Sequence, residues 1–263
     1  MRILLATSTA LLLAACSGAT ASPAPSGEGA SAAAPAVASV GDPAHPVVVE
    51  LYQSQGCSSC PPADRVVNKL ADRADVIPLS FAVTYWDNLG WKDVFGSPAY
   101  TARQWDYAHF AGRAQVATPQ VIVNGRDAVL GSREGELNAA IARNVVKTGP
   151  AITSAAGKVT VGAGKATNAT VWVVRYDPRT IDVAIQAGEN GGRTIPHRNI
   201  VKQLVNVGQW SGKAASFALP VAPAGLKTAV LVQNGKGGPI ISDRKSTRLN
   251  SSHSQQSRMP SSA

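Results

Sequence analysis

Residues 49–64 read Val49-Glu50-Leu51-Tyr52-Gln53-Ser54-Gln55-Gly56-Cys57-Ser58-Ser59-Cys60-Pro61-Pro62-Ala63-Asp64. The stretch opens inside an apolar, β-branched run from Pro46 to Tyr52, which reads as a buried strand. Polar loop residues follow, and then two cysteines separated by two serines. Proline is favoured in the first turn of a helix, so a helix is predicted to begin around 59–62, with apolar Val66, Val67 and Leu70 along it. A second buried strand is predicted at 76–83. Two parallel strands need a crossover, and the intervening helix supplies it.

Reading outward, Ser97-Pro98 has the form of an N-cap followed by proline at the first helical position, opening a helix to about residue 112. A strand is expected over 116–125, with Pro119 near its start and Asn124-Gly125 as its turn. Residues 128–131 form the hairpin partner. A helix over 132–146 closes the unit, with Ser132 as its cap and Leu137, Ile141 and Val145 four apart. The order is βα-βα-ββ-α. From 150 to 241 short alternating runs at 159–161, 169–176, 181–187, 200–207, 214–219 and 228–233 are separated by turn residues, with no helical period. The expectation is an α/β domain over 45–149 followed by a small all-β, sandwich-like domain over 150–242.

The spacing of Cys57 and Cys60 carries chemistry. A helix N-terminus bears partial positive charge and unpaired N–H groups, which favour a thiolate at Cys57. Only the thiolate attacks a disulfide. Two intervening residues set Cys60 one helical turn away, where it can resolve a mixed disulfide. Cys57 is therefore expected to be the exposed nucleophile and Cys60 the buried resolver. A purely structural disulfide closing so short a loop constrains the unfolded chain little.

The order of elements resembles the thioredoxin fold, in which a cis proline lies beside the cysteine pair at the start of the third strand. Thr118-Pro119 stands at the matching place, and by that resemblance Pro119 keeps a backbone edge open for an extended peptide. The motif 49–64, together with Tyr85-Trp86-Asp87-Asn88-Leu89-Gly90-Trp91 and Thr118-Pro119-Gln120, resembles the bacterial secreted family DUF1223 over about 46–241. Tyr52-Gln53 depart from the Phe-Thr common there. The resemblance implies a thioredoxin-like fold and no assigned substrate.

Tyr85, Trp86 and Trp91 surround Asp87. They either pack over a sheet edge or form, with Thr118, a wall of the substrate groove in which Asp87 assists proton transfer from Cys60. Asp64 is expected to be a solvated helix residue, Arg103 and Arg113 to lie on a helix surface, and His197 in a loop. A closed zinc site needs four ligands, and no second cysteine pair exists. A copper(I) site made by the two thiolates alone stays open as an alternative. No cofactor and no further metal site is implied.

The ends suggest export. Met1-Arg2 precedes an apolar run to Ala15 that is too short to span a bilayer and reads as a signal peptide over 1–15. Leu13-Ala14-Ala15-Cys16 resembles a lipobox, making Cys16 the lipidated first residue of the mature chain. Residues 16–44 are rich in Ala, Ser, Pro and Gly and read as a disordered tether. Residues 243–263 resemble translated adaptor sequence and are excluded from the expected fold. The formal charge is +9. Arg2 contributes +1 and residues 243–263 contribute +3, leaving +5 for the body. With no dense basic block, a nucleic-acid partner is not indicated. The expected product is a periplasm-facing lipoprotein, sorted to the outer membrane. It acts as a thiol–disulfide oxidoreductase on a thiol- or disulfide-containing protein. A binding module with a permanent disulfide, and a copper(I) carrier, are the alternatives.

Overall fold

Strand β1 (Val47–Gln53) is buried along its whole length, as a strand covered on both faces must be. Alternation divides it: Val47, Val49 and Leu51 enter one cluster with α1 (Pro61–Lys69) and α3 (Glu134–Arg143). Val48 and Tyr52 enter another on the face of α2 (Pro98–Phe110). The computed structural model describes residues 42–146, 148–165 and 168–245. The signal peptide, Cys16 and most of the tether expected from the sequence lie outside the described residues.

Helix α1 starts with two prolines, whose missing N–H groups cost nothing in a first turn. It passes through a 3₁₀ turn, Leu70–Asp72, into β2 (Val76–Ala82). Strand β2 runs parallel to β1, from Val47 opposite Val76 to Gln53 opposite Ala82. Ser97 caps α2, its hydroxyl accepting from the Ala99 N–H at 3.3 Å. Strand β3 (Gln120–Val123) returns antiparallel to β1 and pairs with β4 (Asp127–Val129). Helix α3 is capped differently from the expectation: Arg133, not Ser132, is its N-cap and makes no side-chain cap bond. Glu134 and Glu136 in the first turn meet the helix dipole instead.

The second half of the chain does not fold apart. It contributes β5 (Ile152–Ala155), β6 (Lys158–Val161), β7 (Ala169–Asp177), β8 (Ile181–Ala184), β9 (Thr194–His197), β10 (Ile200–Trp210), β11 (Ala215–Ala218), β12 (Lys227–Asn234) and β13 (Ile240–Lys245). Four of these extend the first sheet, giving the order β13-β12-β7-β10-β2-β1-β3-β4. The join is made where Ile200 of β10 pairs parallel with Ser80 of β2, and the Ser80 N–H donates to Asn199 O at 3.0 Å. The fold is thus mixed α/β with one large mixed sheet and two small ones, β11-β6-β5 and β8-β9.

This corrects the expectation of a separate all-β domain beyond residue 150. Alternation reveals that a segment is a strand, but not which edge it joins. The sandwich-like layer exists only locally. The three-stranded sheet packs Ile152, Val159 and Val161 against Val171, Val230, Val232 and Trp210 at the far end of the large sheet. The expected tail also begins too early, because Asp243, Arg244 and Lys245 belong to β13, opposite Leu231, Val230 and Ala229. Residues 246–263 lie outside the described residues.

Helix α2 is fastened to both halves by a buried ion pair. Arg103 donates to Glu50 of β1 at 2.8 Å and to Gln233 of β12 at 3.0 Å. Its guanidinium also lies over the rings of Tyr107 and Trp172. The expected surface position of Arg103 is therefore wrong; a cation can be buried when a carboxylate and aromatic faces replace its water.

Candidate functional site

Strand β1 delivers the chain to the cysteines through a tight loop. The Cys57 N–H donates to Ser54 O at 3.1 Å, and the Cys60 N–H to Cys57 O at 3.2 Å. Cys60 is the N-cap of α1, so the pair sits at the helix tip where a partial positive charge collects. Cys57 and Cys60 form a disulfide with Cα atoms 5.5 Å apart. Ser59 links this loop to β3: its hydroxyl lies 3.4 Å from Cys57 Sγ and donates to Thr118 O at 3.4 Å. The Thr118–Pro119 peptide is cis. Trp86 Nε1 donates to Thr118 Oγ1 at 2.8 Å, which holds that edge from the other side.

The pair is sealed. Both Cys57 and Cys60 are fully buried, 0% exposed. This corrects the expectation of an exposed Cys57, and the cause is the segment between β8 and β9. Asn190, itself fully buried, donates through Nδ2 to Gln55 O and to Cys57 O, both at 2.9 Å. Arg193 Nη1 donates to Asn190 Oδ1 at 2.6 Å and fixes the amide's orientation. Glu189 accepts the Ser58 N–H at 3.0 Å, and this contact holds its carboxyl below the usual carboxylate range. Gly188, at φ +72°, faces Trp91: a Cβ there would lie 3.2 Å from Trp91 Cβ. A side chain would lift the cap from the tryptophan.

Beneath the loop lies a polar network. Trp91 Nε1 donates to Gln55 Oε1 at 2.9 Å, and Gln55 N–H donates to Asp93 Oδ2 at 2.8 Å. Asp93 also accepts the Phe95 N–H at 2.8 Å. Asp87 accepts the Asp93 N–H at 3.1 Å, so its carboxylate braces this turn. Tyr85 OH donates to Gln104 Oε1 at 3.2 Å, pointing its hydroxyl toward α2. Asp64 is buried rather than solvated. Burial first, then the nearby Asp93 charge, push its carboxyl up to about 8. Burial raises Asp93 to about 6, against the lowering effect of its two backbone donors.

The sequence profile of DUF1223, a protein family of unknown function, matches residues 48–233. The chain belongs to the DUF1223 family. Among solved structures, an X-ray structure of a protein from Agrobacterium tumefaciens is 33% identical, over 76% of this chain and 92% of that one, with a TM-score of 0.62. HBP35 of Porphyromonas gingivalis aligns over 84% of this chain and 82% of its own at a TM-score of 0.53, with 10% identity, a likeness of fold alone. No protein with a curated description matches.

In this DUF1223 chain the structure gathers Cys57, Cys60, Thr118, Pro119 and Trp86 around one helix tip, with Trp91 joined to it through Gln55. Asp87 and Tyr85 are turned to neighbouring groups instead. Sequence reasoning missed Asp93, Glu189 and Asn190. The last two lie more than 130 positions from the cysteines they cover, and only the neighbouring Gly191-Gly192 hinted at a turn there. His197, expected in a loop, is a buried residue of β9 with its pKa lowered to about 4 by burial. Among the described residues no cluster of three or more His, Cys, Asp or Glu could hold a metal, and no helix is long and apolar enough to cross a membrane.

Proposed function

We propose that this protein is a thioredoxin-like thiol–disulfide exchange protein whose redox pair rests in a closed form. The observation that carries the reading is a Cys57–Cys60 disulfide at the N-terminus of α1, beside Thr118-Pro119 at the head of β3. In the disulfide form the pair is an electron acceptor. A partner thiolate attacks Cys57 Sγ, the Cys57–Cys60 bond breaks, and Cys60 leaves as a thiolate that takes up a proton. The partner's second thiol, losing its proton, then displaces Cys57. The partner gains a disulfide and the pair is reduced. With both cysteines fully buried, none of this can begin until residues 185–193 move aside.

The same burial favours a second reading, in which the disulfide is permanent and the protein is a binding module. Equilibration of the full chain with glutathione, followed by alkylation and mass measurement, separates the two. An exchange protein equilibrates at a potential above about −300 mV; a permanent disulfide stays oxidised below it. Persistent oxidation in both the wild type and an Asn190→Ala variant overturns the exchange reading.

Export completes the proposal: a signal peptide over 1–15, a lipid on Cys16, and an outer-membrane address facing the periplasm, where a disulfide can persist. Its support is the sequence Leu13-Ala14-Ala15-Cys16 after an apolar run. Labelled palmitate should enter the wild type and not a Cys16→Ser variant; labelling of neither refutes the anchor. The partner is a protein bearing a thiol pair or disulfide.

A further inference from the structure

Away from the disulfide, the C-terminal end of α2, the β3–β4 turn and the β12–β13 turn enclose a cavity of about 260 Å³. Its apolar lining comes from Tyr107, Ala108, Ile122, Ala128 and Pro239. Phe110, 57% exposed, stands at its edge. The walls approach one another because glycines allow it. Gly125, at φ +65°, would put a Cβ 2.5 Å from Gly238 O, and any Cβ on Gly237 would strike the Asp106 carbonyl. The cavity is thus held open by the packing of backbone segments and not by mobile side chains.

Two cations also line it. Arg113 and Arg126 are both exposed, and neither guanidinium makes a hydrogen bond or ion pair among the described residues. The nearby acids are already engaged: Asp127 with Arg143 at 2.8 Å, and Asp106 with Lys236 at 3.0 Å. The carbonyls at the end of α2 are engaged too, since Ala111, Gly112 and Arg113 donate to Tyr107, His109 and Ala108. The negative end of the helix is therefore satisfied by its own backbone and opposes an incoming anion little.

We propose that this cavity binds a small anionic amphiphile, a short-chain carboxylate whose apolar tail fills the pocket and whose head meets Arg113 and Arg126. The volume suits a single short chain and excludes a two-chain lipid. Guanidinium recognises a carboxylate by paired, charge-assisted hydrogen bonds. The cysteines have no part in it, so its fate is independent of the exchange chemistry.

Titration calorimetry with octanoate on the full chain tests the proposal. Octanoate should bind one-to-one with a Kd of about 1 mM or tighter, the range its atom count allows. The R113Q/R126Q double variant should bind it at least about tenfold more weakly, since charge-assisted hydrogen bonds are lost at exposed positions where folding is little affected. Octyltrimethylammonium, with the same tail and opposite charge, should not bind. Absence of saturable octanoate binding, equal binding of the two amphiphiles, or unchanged binding by the double variant overturns the proposal. Binding to phosphatidylglycerol vesicles that needs both arginines, without octanoate binding, overturns it in favour of a lipid surface. A Cys57→Ser/Cys60→Ser variant should bind octanoate as the wild type does.

Discussion

Replacing Asn190 by alanine should expose the disulfide to reductant. The amide makes two buried hydrogen bonds, to Gln55 O and Cys57 O, and is itself held by Arg193. A buried hydrogen bond contributes about 1–1.5 kcal/mol net, which puts the pair at about 2–3 kcal/mol. Cys57 O keeps the Cys60 N–H at 3.2 Å. The lower end, about 2 kcal/mol, therefore applies, and it corresponds to about a 30-fold rise in the open population. Where opening is fast compared with chemical reduction, the observed rate follows that population. The assay is pseudo-first-order reduction by dithiothreitol under native conditions, quenched with an alkylating agent and read by mass. Asn190→Ala should react about 30-fold faster than the wild type, with an unchanged circular dichroism spectrum. A change below about threefold would mean that residues 185–193 do not limit access, and the sealed-pair reasoning would fail.

Glu189→Gln tests the charge at the same cap. The wild-type reduction rate should rise with ionic strength as salt weakens the carboxylate's hold on the helix tip, and the variant should lose that dependence; parallel salt profiles would refute it. Arg103→Ala leaves Glu50 buried and unpaired, and urea denaturation should show a loss of about 3–5 kcal/mol. A loss under about 1 kcal/mol would show that the ion pair does not fasten α2. Asp64, raised to about 8, retains its proton in the fold across pH 4–8 while the unfolded chain releases it. Its contribution is therefore complete below pH 4 and is lost as pH rises toward 8, with a slope approaching about −1.4 kcal/mol per unit. Asp64→Asn should flatten the measured stability profile over this interval, and an identical slope in the variant would disprove the assignment.

Local chemistry was legible wherever the signal was local. The two prolines after Cys60, the Ser97-Pro98 cap and the Asn124-Gly125 turn each act within a few residues, and α1, α2 and the β3–β4 hairpin follow from them. The cysteine spacing placed the pair at a helix start for the same reason. Ser132 misled because Ser, Arg and Glu stand together there, and a cap is decided by which residue leaves helical geometry first. Asp64 and Arg103 misled because a charged residue on an amphipathic helix is read as solvated until its partners are known.

What the sequence determined alone was the succession of strands and helices, the thiol pair at the tip of α1 and its membership in a recognisable family, since periodicity and turn preferences are short-range properties of the chain. The tertiary structure decided that both halves share one sheet through Ile200 and Ser80. It decided also that a loop from the second half closes over the pair in the first. Such contacts join residues more than a hundred positions apart, and their pairing is set by which apolar faces and hydrogen-bonding edges can be buried together, a condition that no local pattern encodes.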